Sequence, residues 1–192
     1  MEDIKSVACY ITAGGKAKRM NGRLKAFIEI DGERIIDKNL RIYKALFSEI
    51  GIITNNADRF IDYKNNGINL ISDKYKNIGP IAGIHTALAS SSADYIFIAA
   101  SDMPNVSKDL IEEMISIIDD YDAIIPIHNG NIEPLFAIYS SSILGKLESF
   151  IEKGNSYAIR VFLNELRIKY NEVQAKLLKD NPFQNINYES DL

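Results

Sequence analysis

The chain has almost none of the residues that build disulfide scaffolds or histidine metal centres. One cysteine, Cys9, stands among 192 residues, so no internal disulfide can form. Set in the apolar run Val7 to Ile11, it reads as a buried packing residue. The two histidines, His85 and His128, lie far apart in sequence, which argues against a histidine-built metal site, and neither is given a role. No apolar run reaches membrane-spanning length. The N-terminal Met-Glu-Asp-Ile-Lys lacks the charged and apolar regions of a signal peptide, so the expectation is a soluble, cytoplasmic protein. Positive charge is not in excess either: 22 Lys and Arg against 26 Asp and Glu leave a net charge of −4. That balance speaks against broad binding to nucleic acid or a membrane surface. The ten tyrosines are scattered rather than grouped as stacking platforms. There is no internal repeat, low-complexity tract or linker, so residues 1–192 read as a single domain.

What the chain does have is an ordinary globular composition, 46% hydrophobic and 25% charged, with enough length for a real core. Short apolar runs alternate with helical patterns. The runs 5–12, 49–54, 68–72, 94–100 and 122–127 read as strands, and about 34–47, 80–91, 107–119, 141–153 and 157–166 as helices. Tyr95-Ile-Phe-Ile-Ala-Ala100 is continuously apolar, as in a parallel strand covered on both faces. In 107–119, Leu110, Ile111, Met114, Ile115 and Ile118 share one helical face, with Ser107 as N-cap. Pro80 after Gly79 suits the start of a helix. Segment 131–139 reads as an added strand near the sheet edge, with Pro134 at its start. The alternation predicts an α/β fold: a doubly wound, mostly parallel, Rossmann-like sheet with helices on both faces.

Charge is concentrated in one place. After the first strand come Gly14 and Gly15, and then Lys16, Lys18, Arg19, Arg23 and Lys25 within ten residues, with no acid between Asp3 and Glu29. Glycines let a backbone approach a ligand and offer its N–H groups, and neighbouring cations neutralise phosphoryl oxygens. The spacing is neither a P-loop, which needs Gly, four residues, then Gly-Lys-Ser/Thr, nor Gly-x-Gly-x-x-Gly. On residue types alone the stretch is either a polyanion-holding loop or an ordinary βα turn with solvated lysines.

In a doubly wound sheet, ligands sit outside the carboxyl ends of the strands. The strand endings are therefore the candidates for chemistry: the glycine loop, Thr54-Asn55-Asn56, Ser72-Asp73 and Ser101-Asp102-Met103-Pro104. Asp102 follows six apolar residues, so its carboxylate would emerge at the rim. There it could share Mg²⁺ with phosphates or serve simply as a turn residue before Pro104. Asp73 carries the same two readings.

These blocks together resemble the molybdenum cofactor guanylyltransferases, the MobA-type nucleotidyltransferases. Their signature is roughly Leu-Ala-Gly-Gly-x-x-x-Arg-Met-Gly-x-x-Lys, and Thr12 to Lys25 follow it. Asp73 and then Ile78-Gly79-Pro80-Ile81-Ala82-Gly83 resemble the family's Asp and Gly-Pro-Leu-Ala-Gly. Ser101-Asp102-Met103-Pro104 resembles Cys-Asp-x-Pro, Glu133 to Tyr139 resembles Gln-Pro-Leu-Phe-Ala-Leu-Tyr, and Phe183 to Asn187 resembles Phe-x-Asn-Ile-Asn. The likeness covers nearly the whole chain. Three departures stand out: Thr12 where Leu is usual, Asn21 where Gly is common, and Leu24 in place of the acid before the lysine.

The resemblance implies transfer of GMP from GTP to the terminal phosphate of molybdopterin or Mo-molybdopterin, with release of pyrophosphate and with Mg²⁺ as cofactor. It implies that Gly14 and Gly15 cradle phosphates, Arg19 neutralises the leaving pyrophosphate, Lys25 holds phosphoryl oxygens and Asp102 holds the metal. Thr12, Ala13, Asn55, Asp73 and Gly79 would line the nucleoside site, and Asn185 and Asn187 would close over the second substrate. Partner proteins of cofactor biosynthesis or molybdoenzyme maturation would complete the setting. Two rival readings remain: a cytidylyltransferase or other phosphate-acceptor nucleotidyltransferase, for which Thr12 is the position to watch, and a nucleotide-binding carrier without turnover.

Overall fold

A computed structural model describes residues 5–14, 24–178 and 181–186. Strand β1 (Val7–Thr12) is followed by a 3₁₀ turn, Lys25–Phe27, and a small ribbon of β2 (Glu29–Ile30) and β3 (Glu33–Arg34). Then come α1 (Ile35–Leu46), β4 (Ile50–Ile53), α2 (Ile61–Asn65), β5 (Asn69–Ile71), α3 (Ile81–Ser90) and β6 (Tyr95–Ala100). The second half runs α4 (Lys108–Ser116), β7 (Ala123–His128), β8 (Asn131–Ile132), β9 (Phe136–Ser140), α5 (Leu144–Lys153), α6 (Ile159–Leu163) and β10 (Ile168–Glu172).

The main sheet has the order β10-β7-β9-β6-β1-β4-β5, with β8 paired to β7. β6, β1, β4 and β5 are parallel to one another, and β10 is parallel to β7. Alternation along the strands explains the continuous apolar runs. In β1, Cys9 and Ile11 join the core layer of α1 and α4, whereas Ala8 and Tyr10 join that of α3, α5 and α6. In β6, Phe97 and Ala99 face the first layer, and Ile96 and Ile98 the second. A strand packed on both faces cannot show a polar stripe. Cys9 is fully buried, and burial pushes its thiol pKa well up, in keeping with a packing role.

The expected strands and helices are all present, with ends shifted by a few residues. Ser107 does cap α4, its hydroxyl accepting the Leu110 N–H at 3.2 Å. Pro80 has helical dihedrals and leads directly into α3. The placement of 131–139 needs correction. It is not one edge strand: β8 ends at Ile132, and β9 begins at Phe136 and lies inside the sheet, antiparallel to both β6 and β7. Pro134 falls between the two, outside the ladder, where a missing N–H breaks nothing. The reversal is made by Asn129 and Gly130, both at positive φ (48° and 74°), the dihedrals a tight hairpin needs. All five residues of β9 are buried, which an edge position would not allow. The edge on this side of the sheet is β10, whose Lys169, Tyr170 and Glu172 are exposed; its mixed Ile-Lys-Tyr-Asn-Glu sequence carries little strand signal.

Candidate active site

The carboxyl ends of β1, β4, β5 and β6 meet at one rim, held by backbone hydrogen bonds. Ala13 N–H donates to Ile53 at 2.8 Å, Thr54 N–H to Ile71 at 2.8 Å, and Ser101 N–H to Thr12 at 3.1 Å. The buried Thr54 hydroxyl adds a 3.3 Å bond to the Ala13 carbonyl. The polar residues just beyond each strand are thereby fixed against one another, and they form two clusters.

The first cluster is Gly14, Asn55 and Asp73. Asn55 Nδ2 donates to Asp73 Oδ2 at 3.0 Å. A Cβ on Gly14 would stand 3.6 Å from that same Oδ2 and 3.9 Å from Asn55 Nδ2, so the loop after β1 passes close to the pair. Asp73 is also held from α3, where Thr86 Oγ1 donates to Oδ1 at 3.4 Å. Gly79 turns the chain into α3 at φ 79°, its carbonyl accepting the Ala82 N–H at 3.2 Å.

The second cluster joins Lys25 and Asp102. Lys25 opens the 3₁₀ turn, and its Nζ lies 2.8 Å from Asp102 Oδ2, with the side chains 29% and 21% exposed. Both charges are thus reachable by a ligand, and each is already matched by the other. The Asp102 turn is pinned from two directions. Asn39, buried on α1, donates from Nδ2 to the Met103 carbonyl at 2.8 Å, and the Ile186 N–H donates to the Asp102 carbonyl at 3.0 Å. The latter bond brings the C-terminal segment to the site, where Asn185 lines a cavity of about 200 Å³ with Ala100, Asp102, Met103, Glu133, Pro134 and Leu135. Burial raises the Glu133 carboxyl from its ordinary value, and the nearby His128 and Arg160 pull it part of the way back.

Of the residues expected from sequence, the structure thus gathers Gly14, Asn55 and Asp73 in one cluster, and Lys25, Asp102 and Asn185 in the other, with Thr12 and Ala13 between them. Gly15, Arg19 and Asn187 lie outside the described residues. Leu24, where the signature carries an acid, is buried in the core and leaves Lys25 at the rim. Three contributors were missed: Asn39, Thr86 and Glu133. Asn39 sat in plain view as a polar residue on the apolar stripe Ile35, Ile36, Leu40, Tyr43. Thr86 similarly interrupts the buried run of α3. Glu133 is an acid directly before an apolar block.

Thr12 points at α3 rather than into open space. Its Oγ1 donates to the Ala99 carbonyl at 3.4 Å, and a Cβ on Gly83 would come within 2.8 Å of its Cγ2. Gly83→Ala should therefore be destabilising despite alanine's better helix propensity of about 1 kcal/mol, because overpacking typically costs about 1–3 kcal/mol. Adding Thr12→Ser removes the methyl and should turn the same Gly83→Ala change into a gain. Thermal melts of the two singles and the double test this; additive losses would contradict the packing.

Comparison with known proteins places this rim in a family. Residues 9–169 match the MobA-like NTP transferase domain. A Clostridium perfringens protein named "Probable molybdenum cofactor guanylyltransferase" is 38% identical over 152 residues, which cover 78% of this chain and 74% of that protein. A Vibrio atlanticus protein named molybdenum cofactor guanylyltransferase is 31% identical over 154 residues, covering 79% and 78%. The crystal structure of molybdopterin-guanine dinucleotide biosynthesis protein A from Archaeoglobus fulgidus aligns with a TM-score of 0.77 at 29% identity, covering 96% of this chain and 94% of that one. With its glycine loop, its strand-end acids and all but the ends of its length inside that match, the chain belongs to the MobA-like NTP transferase family.

Proposed function

We propose that this protein transfers GMP from GTP to the terminal phosphate of molybdopterin or Mo-molybdopterin, releasing pyrophosphate. The observation that carries the reading is the Lys25–Asp102 pair, a cation and a carboxylate 2.8 Å apart at the rim of a nucleotidyltransferase sheet. In the reaction an oxygen of the acceptor phosphate attacks the α-phosphorus of GTP, and the bond to the β-phosphate breaks. The acceptor phosphate is already an anion near neutral pH, so no general base is needed. The obstacle is bringing anions together, which positioning and charge neutralisation overcome.

Lys25 supplies a compact cation to the phosphoryl oxygens near the α-phosphate. The motif after β1 assigns the backbone N–H groups of Gly14 and Gly15 to the phosphates and Arg19 to the leaving pyrophosphate. Thr12, Ala13, Asn55, Asp73 and Gly79 form the nucleoside side. Asn185, which lines the cavity beside Asp102, and Asn187 of the same sequence block are assigned to the acceptor. The donor chemistry fits Mg²⁺, which takes one or two carboxylates and completes its shell with water and phosphate oxygens. Asp102 offers a carboxylate at the rim and would hold the ion. When bound, Mg²⁺ neutralises triphosphate charge and acts as a Lewis acid.

Calorimetric titration with GTP, CTP and ATP, with and without Mg²⁺, tests the nucleotide side. Preference for Mg·GTP is expected. Preference for CTP would move the protein to the cytidylyl branch, and binding to none of them would contradict the reading.

A further inference from the structure

The cavity beside Asp102 contains an acid that the transfer chemistry does not use. Glu133 and Asp102 line the same space, together with Asn185 and the apolar Ala100, Met103 and Leu135. At about 200 Å³ the space is smaller than the ~300–1,000 Å³ of pockets that enclose whole drug-sized ligands, so it takes part of a molecule. Apolar walls of Ala100, Met103, Pro134 and Leu135 with a few polar groups suit a heteroaromatic ring. They do not suit a phosphate, which the Glu133 charge would repel. Among the described residues Glu133 forms no ion pair, unlike Asp102 with Lys25. A carboxylate partly withdrawn from water, with no ion pair among the described residues, calls for N–H donors. Its backbone is fixed as well: the Glu133 N–H donates to Pro126 at 3.0 Å, and the Glu133 carbonyl accepts from Phe136 at 3.0 Å.

Resting on the acceptor named above, we propose that Glu133 selects that acceptor by accepting hydrogen bonds from the adjacent amino and ring N–H groups of its pterin. A 2-amino-4-oxo-pteridine presents two parallel donors along one edge, the arrangement that a carboxylate takes up bidentately. The ring lies in the cavity on the Glu133 side, and its phosphate-bearing substituent extends toward Asp102 and Lys25. A sugar phosphate or another phosphorylated acceptor lacks this donor edge and leaves Glu133 without partners, which is how a polar site rejects an analogue.

The test is fluorescence titration of the full chain with free pterin and with lumazine, which has a second oxo group in place of the amino group, in the natural protein and in Glu133→Gln. The natural protein should bind pterin roughly tenfold or more tightly than lumazine, and Glu133→Gln should lose most of that ratio with Mg·GTP affinity unchanged. Equal affinity for the two rings, no pterin binding, or a ratio preserved in Glu133→Gln would each overturn the proposal. GMP transfer to molybdopterin, run in parallel, separates the two readings. Transfer by the natural protein with an unchanged acceptor KM in Glu133→Gln defeats the Glu133 role alone. Ring discrimination lost in Glu133→Gln, without transfer by either protein, upholds that role and defeats the transfer reading.

Discussion

Lys25→Ala should reduce nucleotidyl transfer by roughly 10²–10³-fold, the cost of removing one preorganised charge aimed at a reacting oxyanion. It should do so without damaging the fold. The Lys25–Asp102 pair is partly open to water (29% and 21% exposed), and pairs of that kind contribute about 0–1 kcal/mol. For a chain of this size that corresponds to a melting shift of about 2–4 °C at most. The aliphatic stem of Lys25 is a small packing loss, because the adjacent Leu24 and Ala26 supply the buried anchors of the turn. The experiment is kcat/KM beside a thermal melt. Near-normal turnover in a folded variant would remove Lys25 from the mechanism. A collapsed melt would show that the turn, rather than the charge, is what the lysine supports.

Asp102→Ala should cost about 10²-fold or more and abolish the activation by Mg²⁺ expected of the natural protein. Asp102 is the carboxylate at the end of β6, and its turn is pinned by Asn39 and by the Ile186 N–H through backbone atoms that alanine keeps. The turn should therefore survive while the donor is lost. Titrating Mg²⁺ against rate separates the outcomes. A variant that still responds fully to Mg²⁺ would place the metal elsewhere, and a variant with unchanged rate would reduce Asp102 to a turn residue.

Much of this was legible in the residues because the signals were local. The two-faced burial of β1 and β6 produces unbroken apolar runs, and Asp102, just past the end of the β6 run, stands at the rim. What was illegible depends on partners distant in sequence. β9 sits inside the sheet because β6 and β7 both pair with it, a fact of topology that Phe136–Ser140 does not announce. β10 is an exposed edge strand, and its mixed sequence lacks the apolar run that marked the others. Asn39 matters because Met103 lies against it 64 residues further on, and Glu133 because the hairpin folds it over Asp102's side of the sheet. Likewise, Thr12 stands out in the motif as a departure near the base, yet its methyl group is accommodated by the bare Cα of Gly83.

The most direct measurement of the central claim is single-product analysis. The protein is incubated with α-labelled GTP, Mg²⁺ and molybdopterin, and the label and released pyrophosphate are followed together. One labelled dinucleotide should form for each pyrophosphate released, and only when the acceptor is present. Pyrophosphate or phosphate release without a labelled dinucleotide, or tight Mg·GTP binding with no turnover, would contradict it.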